Sequence, residues 1–131
     1  MFSPTGVLMT VAIAAAPVSG PTRTAILDSA REPVSAAIGK PVLFKVRQLK
    51  EADGWAFLIA DMEEREGVPI SYAGTSRADA AEQGFISRTY AALLHKKGDS
   101  WTVIDKAIGP TDVAWEGWAK TYKAPAGIFV P

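Results

Sequence analysis

Two apolar stretches, each folded back by a tight turn, limit what this chain can become more than any other feature. Val42 to Lys50 alternates, with Val42, Phe44 and Val46 on one side and Leu43, Lys45 and Arg47 on the other. Ala52-Asp53-Gly54 follows. Trp55 to Met62 then alternates again, with Trp55, Phe57 and Ile59 opposite Ala56, Leu58 and Ala60. Period-two alternation on both sides of an Asp-Gly pair predicts a β-hairpin. The pattern recurs further along. Phe85 to Lys97 places Ile86, Arg88, Tyr90, Ala92 and Leu94 on one face and Phe85, Ser87, Thr89, Ala91, Leu93 and His95 on the other. Lys97-Gly98-Asp99-Ser100 turns the chain, and Trp101 to Ile108 returns, with Trp101, Val103 and Asp105 facing away from Thr102, Ile104 and Lys106. Successive hairpins predict an antiparallel sheet, since parallel strands need crossover helices that this chain does not supply.

Such a sheet needs a cover on its apolar face. Arg23 to Gly39 supplies one: Ile26, Leu27, Ala30, Val34, Ala37 and Ile38 fall on one side at helical spacing, and Arg23, Asp28, Ser29, Arg31, Glu32 and Ser35 fall on the other. Thr22 or Pro21 starts this helix and Gly39 ends it. Pro33 lies inside and has no N–H to give, so a kink is expected there. Asp61 to Gly84 has no clear period, although Ile70 to Tyr72 reads as a short edge piece. An aperiodic stretch of that length is either a functional loop or a mobile one. After Gly109-Pro110-Thr111-Asp112, a short helix from Val113 to Lys123 puts Trp115, Trp118 and Tyr122 on one side, with Gly117 weakening it, and Gly127 to Pro131 forms an apolar tail. The fold class is therefore α+β. An N-terminal helix packs on a curved four-stranded antiparallel sheet, and a short C-terminal helix completes the unit.

Charge is distributed unevenly. Lys plus Arg and Asp plus Glu balance at 14 each, which gives no electrostatic reason to expect nucleic acid as partner. The first charged side chain is Arg23. Before it runs an apolar segment, Gly6 to Ala16, ending in Ala14-Ala15-Ala16. Its length and small-residue end match a secretory signal, and it is too short for a stable membrane span. No Lys or Arg precedes it, so an apolar N-terminal arm or an uncleaved anchor remain the alternatives. The expected organisation is a leader over 1–20 and a single α+β domain over 21–131, periplasmic or secreted. Cleavage of the leader would leave no membrane span.

Two resemblances fit this reading. The order of elements is similar to the cystatin-like and nuclear-transport-factor-like folds, in which a curled sheet wraps one helix. That likeness carries no motif and implies nothing about activity. The residues Gly39-Lys40-Pro41-Val42, Gly54-Trp55-Ala56-Phe57, Trp101-Thr102-Val103 and Ile108-Gly109-Pro110-Thr111-Asp112-Val113, with Trp118, Tyr122 and Ala124-Pro125, resemble a type of small exported bacterial domain. This second likeness implies export and a shared fold, and implies no activity.

Few residues offer chemistry. There is one histidine, His95, and no cysteine, so neither a thiolate site nor a His-rich metal site is available, and no metal or cofactor is expected. The acidic group Asp61, Glu63, Glu64 and Glu66 lacks calcium-loop spacing and reads as a solvated loop face. No phosphate loop, dinucleotide fingerprint or nucleophile elbow is present. Asp105 stands out because alternation puts it on the apolar face of Trp101 and Val103. There a carboxylate pairs, shifts its pKa or reaches the edge of the sheet.

The aromatic residues are more unusual. Three of the four tryptophans, Trp101, Trp115 and Trp118, crowd the last third of the chain together with Tyr122. They serve either as core or as an exposed platform for a ligand. The expected function is a non-catalytic exported domain that binds a protein, peptide or small ligand of the cell envelope. Its candidate residues are Trp115, Trp118, Tyr122, Trp101 and Asp105, beside the loop from Asp61 to Gly84. The rival readings are a small hydrolase- or isomerase-type pocket enzyme using Asp105 with His95 or Tyr90, and an inhibitor that inserts the long loop into another exported protein.

Overall fold

A computed structural model describes residues 16–131. The expected leader lies, up to residue 15, outside the described residues. From there the elements run β1 (Ala16–Pro17), α1 (Gly20–Ile38), β2 (Leu43–Ala52), β3 (Trp55–Arg65), β4 (Val68–Pro69), α2 (Ala78–Glu82), β5 (Thr89–Lys97), β6 (Ser100–Ile108), α3 (Trp118–Tyr122) and a 3-10 turn, Ala126–Phe129. Four long strands form an open antiparallel sheet in the order β2-β3-β5-β6, with β1 on the outer edge of β2 and β4 beside the end of β3.

Both hairpins close through two-residue turns. Asp53 and Gly54 both have positive φ, 55° and 79°, between the paired residues Ala52 and Trp55. That is the type I′ requirement, which Asp-Gly meets with little strain and which matches the twist of the strands. β3 and β5 are the inner strands, so both of their faces are covered. Ala56, Phe57 and Leu58 are buried in succession, as are Tyr90 to Leu94. This explains why both segments read as nearly continuous apolar runs.

The helix α1 covers one face. Ile26, Ala30, Val34 and Ile38, spaced four apart, are its buried stripe and pack on Ala56, Leu58, Ala60, Met62, Tyr90, Ala92 and Leu94. Each large side chain buried this way stabilises the fold by roughly 1.5–3 kcal/mol. Ala30 lets the sheet approach the helix backbone, and the Tyr90 hydroxyl donates to the Ala30 carbonyl at 3.0 Å. Burial pushes the Tyr90 pKa well above its ordinary range. The helix begins at Gly20, three residues earlier than expected, with Pro21 in its first turn where a missing N–H costs nothing. It continues through Pro33. Of the expected helix face, Ala37 lies exposed. Gly39 closes the helix at φ 89°, its N–H donating to the Ser35 carbonyl at 2.8 Å.

Two β-bulges change the expected faces. In β2 the register shifts between Val46 and Gln48. Phe44 and Val46 point toward α1, and the extra residue Arg47 brings Leu49 to that same side. In β6 the shift falls at Ile104, since Val103 pairs with Leu94 and Asp105 pairs with Leu93. Trp101 and Val103 stay under α1, while Asp105 turns to the opposite face beside Leu93. The expectation that Asp105 shares a face with Trp101 and Val103 is therefore corrected. A bulge places two residues opposite one, and strict alternation fails across it.

The expected strand from Phe85 begins only at Thr89. Before it, Ser87 is held in an irregular turn, donating through Oγ to the Pro110 carbonyl at 2.5 Å and through N–H to the Gly109 carbonyl at 2.9 Å. Phe85 is 70% exposed. The span from Asp61 to Gly84 holds more structure than its lack of period suggested. β3 runs on to Arg65, β4 pairs back on it, and Ile70 and Tyr72 are buried. The C-terminal helix is shorter than expected: α3 starts after Gly117, which serves as its N-cap, and ends at Lys123 in the left-handed conformation.

Candidate functional site

The sheet face turned away from α1 is built from residues that the bulges and the outer strands select. β3 contributes Trp55, Phe57 and Ile59, β5 contributes Ala91 and Leu93, and β6 contributes Ala107. The last twenty residues lie across this face. Gln48, turned this way by the β2 bulge, donates through Nε2 to the carbonyls of Ile128 at 3.1 Å and Val130 at 3.3 Å, which holds the end of the chain down.

Phe57 is the centre. It is fully buried, with Phe129 4.6 Å away, Trp115 at 5.8 Å and Trp118 at 6.1 Å, ring centroid to centroid. Trp118 meets it edge to face at 87°, an arrangement the ring quadrupoles favour. Ala52, Ala91, Ala107 and Ala124 make room for these rings. Trp118 is 8% exposed and belongs to the core. Trp115, Tyr122, Phe129 and Trp55 are only partly buried and form a half-exposed aromatic rim.

Two polar pairs border the rim. His95 lies flat against Trp55, with ring centroids 4.1 Å apart and 25° between planes. The Tyr122 hydroxyl donates to Asp105 Oδ2 at 2.5 Å, and the Lys106 N–H donates to the other oxygen at 2.8 Å. The hydrogen bond to Asp105 raises the Tyr122 pKa above its usual value, with smaller contributions from burial and from the carboxylate charge.

Of the five candidate residues, the structure gathers Trp115, Trp118, Tyr122 and Asp105 on this one face. Trp101 sits apart, buried beneath α1 on the other side of the sheet. Sequence reasoning missed Trp55 and Phe129, and weighed His95 only as a partner of Asp105 in a pocket; Tyr90, the other such partner, lies beneath α1 on the opposite side of the sheet. Trp55 and His95 are cross-strand partners. Each stands beside a hairpin turn, but β3 and β5 are joined by an irregular segment from which their register cannot be counted.

The long segment lies flat on the body. Lys40 Nζ donates to the Ser71 carbonyl at 2.8 Å and to Glu64 Oε1 at 3.3 Å, and Glu64 also accepts from the Ser71 N–H at 3.0 Å. That N–H, and secondarily Lys40, holds the Glu64 pKa below its ordinary value. Arg88 Nε donates to the Ile70 carbonyl at 2.7 Å, Arg77 Nη1 to the Ala37 carbonyl at 2.9 Å, and Tyr72 to the Ser87 carbonyl at 2.5 Å. A loop fastened this way offers no projecting tip.

No group of three or more His, Asp or Glu among the described residues is placed to hold a metal ion. No helix among the described residues is long and apolar enough to cross a membrane. Comparison with known proteins finds no match among family models, curated proteins or solved structures.

Proposed function

We propose that this chain is a non-catalytic binding domain that works in the cell envelope, exported behind its apolar leader, and that it holds a protein, peptide or small ligand against its C-terminal aromatic face. One observation carries the reading. Trp55, Trp115, Tyr122 and Phe129 stay partly exposed around a Phe57–Trp118 core that would be complete without exposing them. Large, rigid rings at a surface supply contact area at low entropic cost, and Trp and Tyr dominate binding hot spots for that reason. The Asp105–Tyr122 pair and His95 add hydrogen-bonding groups at the rim.

Support for a binding role over a pocket enzyme comes from Asp105. Tyr122 donates to one of its oxygens and the Lys106 N–H to the other, on an open face. A general base works within hydrogen-bond reach of a proton on a substrate held in place, and an open face gives a substrate no enclosing walls. The flat, fastened segment from Asp61 to Gly84 likewise speaks against insertion into another protein's cleft.

The test is capture from an envelope extract with the domain immobilised, run beside Trp115→Ala and Trp55→Ala. Circular dichroism should show both variants folded, because neither ring is fully buried. At least one component held by the native chain should be lost by both variants. Equal recovery of every component by all three proteins overturns the reading.

A further inference from the structure

The two edges of the sheet differ. The β2 edge is covered by β1, with Ala16 opposite Glu51 and Pro17 opposite Lys50. The β6 edge has no strand beside it among the described residues. Along that edge runs a cleft of about 430 Å³, walled by Ser29, Glu32, Pro33 and Ala36 of α1 and by Trp101, Thr102 and Val103 of β6. Trp101 and Val103 point under the helix, so Thr102, between them, points to the other face. Three consecutive residues line one cleft only where the strand's own edge, with its N–H and C=O groups, is part of the wall. The bulge at Ile104 ends the regular stretch just beyond, and Lys106 follows it. A bulge and a lysine are the usual devices that keep an edge from pairing indiscriminately, and here they leave only Ser100 to Val103 open.

The helix wall is rich in acceptors. Pro33 has no N–H, so the carbonyl four residues earlier, that of Ser29, lacks its helical donor. The Glu32 carboxylate has no ion-pair partner within 4.0 Å among the described residues. No Lys or Arg lines the cleft. We infer that this cleft is a strand-addition site for an extended peptide that pairs with Ser100–Val103 and places a basic side chain against Glu32 and the Ser29 carbonyl. Edge pairing supplies affinity without regard to sequence, and the acceptor pocket supplies the preference for a cation. The site lies across the sheet from the aromatic face and does not depend on it.

The probe is a capped pentapeptide of alternating valine and lysine. Its controls are the same peptide with glutamate for lysine and the lysine peptide with alternate backbone nitrogens methylated. Amide shifts of the 15N-labelled domain should move at Trp101, Thr102 and Val103 with the lysine peptide, and less with either control. Glu32→Gln should weaken binding about 1.5-fold to fivefold, the scale of one exposed charge pair. Pro33→Ala returns a donor to the Ser29 carbonyl, so it should raise the melting temperature and still weaken binding about twofold to tenfold. No misfolded variant can mimic that combination. Trp115→Ala should leave the peptide affinity unchanged. The proposal fails if no β6 amide moves at millimolar peptide, if lysine and glutamate peptides bind equally, or if Pro33→Ala binds as well as the native chain. It also fails if the free domain is already a dimer through β6, because a second copy would then be the occupant.

Discussion

The two faces of this sheet are covered in opposite ways. On one, a nineteen-residue helix lays down a stripe of modest side chains, Ile26, Ala30, Val34 and Ile38, each one turn from the next. On the other, an irregular segment holds itself in place with a few large rings gathered on Phe57. The first arrangement spreads its stabilisation over a periodic surface, and its backbone, apart from the Ser29 carbonyl left without a donor by Pro33, is satisfied within the helix. The second concentrates it in anchors, and the backbone between them is tied by single bonds such as those from Gln48 to Ile128 and Val130. A surface held by anchors leaves rings half-covered at its rim, which is where the proposed binding face lies. The surface held by a stripe leaves one partly buried ring, Phe44, with the Arg31 guanidinium 5.3 Å above it.

This contrast can be broken by truncating one member of each cover. Phe57→Ala should cost about 3–5 kcal/mol in denaturant unfolding, because it removes the ring shared by Trp115, Trp118 and Phe129. Val34→Ala should cost distinctly less, since the removed volume is smaller and its neighbours along the stripe remain. Similar losses at both sites would show that the stabilisation is not concentrated on the aromatic side.

The joint between the two covers comes next. Gly109, at φ 69°, is where the chain leaves β6 for the aromatic face. Its N–H donates to the Thr89 carbonyl at 2.7 Å, and a Cβ there would collide with the Ile86 side chain and stand 2.9 Å from the Ser87 carbonyl oxygen. Gly109→Ala should therefore destabilise by about 1–3 kcal/mol, from left-handed strain plus the displaced Ile86. The other glycines with positive φ, Gly54 and Gly98 among them, have open space where a Cβ would sit, so Gly98→Ala should cost less.

Smaller effects sharpen the comparison. Tyr90→Phe removes the bond to the Ala30 carbonyl, tying α1 less firmly to the sheet, and should cost about 1 kcal/mol. The smallest effect is in the pH dependence. Tyr72, Tyr90 and Tyr122 all have pKa values raised by the fold, so the folded chain holds their protons more tightly than the unfolded one. Their contribution is complete below the ordinary tyrosine value near 10 and is lost as pH rises past it. Tyr122→Phe should flatten part of that alkaline loss on the aromatic side, and Tyr90→Phe part of it on the helix side. Glu64 has the opposite sign. Its lowered pKa stabilises above its ordinary value of 4.5, and the contribution disappears as pH falls below it. Melting temperatures across both pH ranges check each sign.

Much of the framework was legible in the residues alone. The Asp53-Gly54 and Gly98-Asp99 turns, the alternation in β3 and β5 and the apolar stripe of α1 are all dictated by neighbours a few positions away. Backbone sterics and side-chain period decide such features wherever the segment ends up. Trp115, Trp118 and Tyr122 could be singled out by spacing before any fold was known, even though the helix proved only five residues long and leaves Trp115 in the turn before it.

What the residues alone could not decide was set by long-range closure. The bulges at Arg47 and Ile104 carry no distinctive residue, and they arise because the strands must twist and the core must fill on both sides at once. One of them moved Asp105 from the helix face to the aromatic face and gave it Tyr122 as partner. The register that stacks His95 on Trp55 depends on how β5 docks against β3 after the irregular stretch between them. Local turns and periods are short-range properties of the chain. Which side chains meet across the sheet is decided by packing, and packing exists only once distant segments have come together.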